Sequence, residues 1–200
     1  FVASWVTFLQ VSTSALAAYS FACVPWRGRD RLFLLYLATI MLPGLVMLIP
    51  VYRLMIALGW IDTYYGLIVP AAFTPMGTFL LRQFMLGIHP SLLEAAEIDG
   101  AGHWRTFTQV VLPLTRPGLV TLAVFVFMGN CASFLWPLVM LKSTDKYTLP
   151  VGLLFFDSSV GRQTHLLMAA VTMAVVPLIA VFVLAQRHLV RGIQMGAVKG

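Results

Sequence analysis

Charge is what this chain lacks most. Only 10% of its 200 residues are Asp, Glu, Lys or Arg, while 60% are hydrophobic. A soluble domain carries roughly 25% charged residues, so an ordinary water-facing globule is excluded. Intrinsic disorder is excluded too, because it requires low hydrophobicity and high charge. Cysteine is scarce. Cys23 and Cys131 lie in apolar stretches without metal or redox spacing and read as small buried hydrophobes. No two of His89, His103, His165 and His188 have ligand spacing on one element, so no metal site is expected. No Gly-x-x-x-x-Gly-Lys-Ser/Thr run cradles ATP phosphates, and no Ser/His/Asp or Cys/His set can be defended. The chain therefore reads as a non-enzyme without a cofactor of its own. No charged n-region precedes the first apolar run, so that run is not a signal peptide. Starting at Phe1, it reads as a truncated beginning.

What is there is long apolar sequence. A spanning helix needs about 20 mostly apolar residues. Five stretches free of Asp, Glu, Lys and Arg meet or approach this: 1–26, 32–52, 63–81, 117–141 and 163–186. The third is the weakest, because it holds Gly66, Pro70, Pro75 and Gly77. Only helices and closed barrels satisfy every backbone polar group in lipid. Barrel strands would alternate apolar and polar residues, and these runs do not. The expected fold is an all-α membrane bundle forming a single domain over 1–200.

The net charge of +6 has a topological reading. Arg27, Arg29, Arg31, Arg82, Arg105, Arg116, Arg187, Arg191 and Lys199 fall on one side of the spans. Arg53, Lys142, Lys146 and Arg162 fall on the other. Positive charge concentrates on the cytoplasmic side, which would put the C-terminus inside and Phe1 near the outside. Five spans then leave an odd count, and one missing N-terminal helix would restore six. No basic patch has interleaved aromatics on a polar background, so no nucleic-acid partner is expected.

The informative segment is 82–116, which is too long for a simple loop. Pro90 and Ser91 open a helix, and Ser91 with Glu94 fits a capping box. Gly100 is a natural left-handed stop. Asp99 is placed as the cap of a second short helix over 102–110. A helix lying on the membrane surface would prefer Lys and Arg on its polar face. This one carries Glu94, Glu97 and Asp99, which favours a protein partner.

At these residues the sequence resembles the inner-membrane permease subunits of binding-protein-dependent ABC importers. Glu94-Ala95-Ala96, Gly100, Val110, Leu112 and Pro113 stand at the spacings of that family's cytoplasmic signature, with Val110 in place of its isoleucine. Ile98-Asp99-Gly100-Ala101 is similar to the carbohydrate branch, the maltose-permease-like subunits. So are Leu58-Gly59 with Asp62-Thr63, Gly66-Leu67-Ile68 with Pro70, and Thr148-Leu149-Pro150-Val151-Gly152. The tail, Gly192 followed by Gly196-Ala197-Val198-Lys199-Gly200, fits as well. One departure is Cys131-Ala132-Ser133-Phe134, where the family often has Trp-Asn-Asp-Phe before Leu-Trp-Pro.

The resemblance implies half of a translocation pathway for a sugar or related solute in a bacterial inner membrane. Its expected partners are a second homologous permease, two ATPase subunits that hold ATP and Mg, an external solute-binding protein and membrane lipid. Glu94, Ala95, Ala96, Asp99, Gly100, Leu112 and Pro113 would couple the chain to the ATPase. Leu112-Pro113 would set the bend back into the membrane, and the tail 195–200 could reach the ATPases. Thr121, Asn130 and Ser133 are the polar candidates along the pathway. A self-sufficient secondary transporter or channel is the alternative. It would need buried charges and inverted repeats, and neither is visible.

Overall fold

The computed structural model describes residues 1–159 and 164–197, with side chains as far as Phe155 and, in the last helix, as far as Val183. Every regular element among the described residues is helical. The order is α1 (Val2–Ala22), α2 (Arg29–Ala38), a 3-10 turn (Thr39–Met41), α3 (Gly44–Ala57), α4 (Tyr65–Ala71), α5 (Pro75–Met85) and α6 (Pro90–Ile98). Then follow α7 (His103–Thr106), a π-helical turn (Phe107–Val111), α8 (Leu112–Leu114), α9 (Arg116–Cys131), α10 (Leu135–Met140), a 3-10 turn (Thr144–Lys146), α11 (Leu149–Ser159) and α12 (Thr164–Ala197).

Three of the five apolar stretches contain a break. Leu42, ahead of Pro43, is extended with φ −76° and ψ 117°. Thr74, ahead of Pro75, is extended with φ −143° and ψ 128°. Proline's ring clashes with an α-helical residue before it and pushes that residue into the extended region. The third break, at Ala132–Phe134, precedes α10. There Pro137 has no N–H to offer the Ser133 carbonyl. Among the described residues one helix segment, Thr164–Val183, is long and apolar enough to cross a membrane alone. The pairs Arg29–Met41 with Gly44–Ala57, and His103–Leu114 with Arg116–Cys131, raise this to three if each bent pair is one span.

Leu45, Val46 and Ile49 on α3 are largely exposed, as are Met173 and Val176 on α12. Soluble monomers rarely leave contiguous apolar faces of this kind bare. Such faces belong in lipid or against another apolar chain.

The chain divides into two compact units. The first comprises Phe1–Thr7, Pro43–Ala72 and Val124–Ala185. Its core is Met55, Leu67, Met140 and Leu141, flanked by Tyr52, Trp60, Trp136 and Tyr147. The Trp136 indole N–H donates to the Gly66 carbonyl over 3.1 Å, which gives that partly buried donor a partner and joins α10 to α4.

The second unit comprises Phe8–Leu42, Phe73–Ala123 and the chain from Gln186. Leu81, Val111, Thr78, Thr115 and Ser14 are essentially inaccessible there. Gly77 lets helices approach closely: a Cβ at that position would sit 2.6 Å from Ser14 Oγ and 2.8 Å from Thr74 Cγ2. Small residues at helix contacts serve this purpose in membrane proteins. Arg82 gathers three segments. Its Nε donates to the Phe21 carbonyl (3.1 Å), a terminal nitrogen pairs with Asp30 (3.0 Å), and the guanidinium lies 4.2 Å from the Phe33 ring centroid. Phe33 is buried, so part of this cation–π contact is shielded from water.

Candidate functional site

The 82–116 segment lies in the second unit. His89 is the N-cap of α6, with extended backbone, and its Nδ1 accepts from the Ser91 N–H (3.3 Å). The same ring nitrogen is 2.8 Å from Ser91 Oγ. The expected Ser91–Glu94 capping box is therefore not the cap. Pro90 at the first helical position moves the boundary back to His89 and ties Ser91 to its ring. Glu94 is left exposed, and among the described residues its carboxylate has no partner.

The helix ends as the glycine implies. Gly100 has φ +74°. Its N–H donates to the Glu97 carbonyl, and the Ala101 N–H to the Ala96 carbonyl, both over 2.9 Å. This bond pair is a Schellman stop. Asp99 is the C-cap of α6, not the N-cap of the next helix, a role that falls to Gly102. The Schellman geometry commits Asp99 to the end of α6, its N–H donating to the Ala95 carbonyl over 3.0 Å. Within the Glu-Ala-Ala triplet, Ala96 is buried while Glu94 and Ala95 face outward. Ile98 is 86% exposed and Trp104 69%. This segment thus presents an apolar rim beside an unpaired carboxylate.

Beyond α7 the backbone widens into the π turn Phe107–Val111. Pro113 has no N–H for the Gln109 carbonyl, and Pro117 has none for the carbonyl of Pro113. Between the two prolines the helix bends by 77° at Thr115. Thr115 is buried, and its hydroxyl donates to the Val111 carbonyl over 2.8 Å. The sequence reading placed the bend at Leu112-Pro113. It falls at Thr115, whose N–H and hydroxyl both donate to the Val111 carbonyl. A Thr between two prolines four residues apart was the available signal.

The second candidate lies in the first unit. A cavity of about 450 Å³ is lined by Tyr64, Leu67 and Ala71 on one side and by Lys146–Pro150 on another, with Phe127, Asn130, Cys131, Ser133 and Trp136 among its other walls. Asn130 and Ser133 meet here. Thr121 does not line the cavity; it is buried in the second unit with its hydroxyl donating to the Pro117 carbonyl (2.8 Å). Asn130 Nδ2 donates to the Val126 carbonyl (2.8 Å), which turns the amide along its own helix. Among the described residues the buried Thr148 hydroxyl has no partner, a polar atom left over in the cavity wall.

Beside this cavity sits Asp62. It is the one non-glycine residue with positive φ (+56°) among those described. Its N–H donates to the Met140 carbonyl (2.9 Å). Oδ1 accepts from the N–H groups of Lys142 (2.8 Å) and Ser143 (3.0 Å). Oδ2 accepts from the Ser143 hydroxyl and from Lys146 Nζ (2.9 Å), and Nζ also donates to the Asp62 carbonyl (2.8 Å). The Ser143 hydroxyl, the two backbone N–H groups and the Lys146 ammonium hold the Asp62 carboxyl well below the usual carboxylate range. The same carboxylate raises the Lys146 ammonium. The sequence reading had noted Asp62 only as part of a family-like motif. Its partners lie about eighty residues on, and nothing local announces them.

Residues 11–195 match the family described as binding-protein-dependent transport system inner membrane component. The chain belongs to that family. Among curated relatives, it is 35% identical over 195 residues to the arabinooligosaccharides transport system permease protein AraQ of Halalkalibacterium halodurans, covering 98% of this chain and 70% of that protein. It is 35% identical over 190 residues to the sn-glycerol-3-phosphate transport system permease protein UgpE of Yersinia enterocolitica, covering 94% and 68%. Among solved structures, a bacterial ABC transporter involved in the import of the acidic polysaccharide alginate shares the fold, with a TM-score of 0.80 at 24% identity over 93% of this chain and 72% of that one. The permease bundle expected from the motifs is the fold found. As a transport permease, a member of this family is not an enzyme.

Proposed function

We propose that this chain is a permease subunit of an ATP-driven importer and forms half of the membrane pathway for a sugar or related solute. Its family and its relatives' names support that reading. The finer parts are proposals. A second homologous permease supplies the other half of the pathway, an external binding protein delivers the solute, and two ATPases bind ATP and Mg. The C-terminus is cytoplasmic, which puts 82–116 on the ATPase side. The tail's last residues, 198–200, lie outside the described residues.

The observation that carries the coupling role is the state of Glu94. It is exposed, and without a partner among the described residues, on a short helix whose ends are both secured, at the N-terminus by His89 and at the C-terminus by Gly100. A helix fixed at both ends transmits a push as a rigid body. Ala95 keeps its outer flank narrow enough for close docking, the buried Ala96 seats the helix on its own unit, and Leu112-Pro113 leads the motion to the bend. A nucleotide shifts the inward–outward equilibrium only through its different affinities for the two states, and this segment is the route for that difference. Asn130 and Ser133, in the cavity wall, serve the solute. Thr121 serves the packing of the helix that carries them.

The test is a pair of substitutions in the assembled transporter. Glu94→Lys inverts the charge, and Gly100→Pro demands a φ near −65° where the chain needs +74°. We expect both to insert normally, and both to lose solute uptake and its coupling to ATP hydrolysis. Full ATP-coupled uptake in both variants would remove the coupling assignment.

A further inference from the structure

The Asp62 knot joins the two walls of the cavity. Chain continuity runs from Asp62 through Thr63 into Tyr64, Leu67 and Ala71, which form one wall. The Asp62 side chain reaches across to Lys142, Ser143 and Lys146, whose segment lines the same cavity from Lys146 to Pro150. The carboxylate thus ties two lining segments together, beside the Asp62 N–H bond to Met140 and the Trp136 bond to Gly66. The Asp62 backbone also carries a cost: a left-handed conformation is unfavourable for a residue with a Cβ, and Asp tolerates it better than most. Gly or Asn would meet the turn as easily. Neither would supply two anionic oxygens to receive two N–H groups, a hydroxyl and an ammonium together.

We propose that Asp62 is a positioning residue: its carboxylate latches the 142–148 segment to the 60–64 turn, and this latch sets how far the cavity between them is open. Released, the segment swings at the 3-10 turn Thr144–Lys146, and the cavity admits larger molecules. The consequence for transport rests on the reading that this cavity belongs to the solute pathway. The consequence for the cavity itself does not.

Cys131 lines the same cavity and provides the readout. The experiment uses the chain assembled with its partners, carrying Cys23→Ser so that Cys131 is this chain's one thiol. The probe is a bulky, water-soluble maleimide, and its reaction rate is compared with that of a small one. Asp62→Asn keeps an acceptor for the backbone N–H groups but removes the charge. Asp62→Gly keeps the turn but removes the side chain. Lys146→Met removes only the ammonium, at a partly exposed position, and leaves Asp62 its bonds from Lys142 and Ser143. We expect the bulky probe to react about tenfold faster in Asp62→Gly and by a smaller factor in Asp62→Asn and Lys146→Met, with little change for the small probe. Asp62→Asn combined with Lys146→Met should be no faster than the quicker single variant, because both cut one latch. Equal bulky-probe rates in wild type and Asp62→Gly would overturn the proposal. So would additive effects in the double variant. Faster labelling with unchanged solute uptake keeps the latch and counts against the cavity as pathway, so the two readings fail separately.

Discussion

At the residue scale the structure turns on a few side chains with one arrangement open to them. Asp62 and Lys146 carry a pH prediction. A depressed carboxyl contributes in full above the ordinary Asp value of about 3.9, and that contribution fades as pH falls through the lower folded value. A raised ammonium contributes below the ordinary Lys value of about 10.4, and fades as pH rises through the folded one. Between about pH 5 and pH 9 neither partner titrates. Labelling of Cys131, corrected for its own thiolate fraction, should therefore be flat across that window. A step inside it would contradict the ion-paired state. Gly77 carries a packing prediction. Gly77→Leu must displace Ser14 and Thr74, and overpacking typically costs about 1–3 kcal/mol. A lower Tm of the purified protein checks this, while Gly129→Ala, at an exposed position where a Cβ meets nothing within 4 Å, should be far milder.

Legibility at this scale followed locality. Gly100 was readable because a glycine after a helical run with a short helix beyond it is a strong stop signal, and its φ of +74° bears that out. The His89 cap was not, because Ser91 offered a better-known cap and histidine ranks low among capping residues. Asp62 was unreadable as a latch because its value comes from Ser143 and Lys146, brought near only by the fold.

At the element scale the prolines decide. Apolar composition merged helix pairs into continuous spans, since hydropathy does not register a missing N–H. The extended residues Leu42 and Thr74, each ahead of a proline, divide two of those stretches. Pro43 and Pro75 were in view; what was missing was the weight of the residue before each. The π turn and bend at 107–115 follow the same logic. Pro113→Ala would return an N–H to the Gln109 carbonyl and draw the turn toward α-helical geometry. We expect slower amide hydrogen exchange across 110–115 and weaker coupling of ATP hydrolysis to uptake. Unchanged exchange there would mean that the π turn is held by Thr115 and the packing around Val111 instead.

At the scale of the whole molecule, composition had excluded a soluble globule before any motif was read. The exposed apolar faces of α3 and α12 agree with that exclusion. Membership of a binding-protein-dependent transport family supports the proposal that other chains supply the energy.

The most direct measurement is a mild-detergent pull-down of the full-length protein from its native membrane, with every co-purifying chain sequenced. We expect a P-loop ATPase and a second permease carrying its own Glu-Ala-Ala segment. Glu94→Lys should lose the ATPase and keep the permease. Purification of this chain alone, or only with copies of itself, with no ATPase bound on reconstitution, would contradict the coupling role of 91–113.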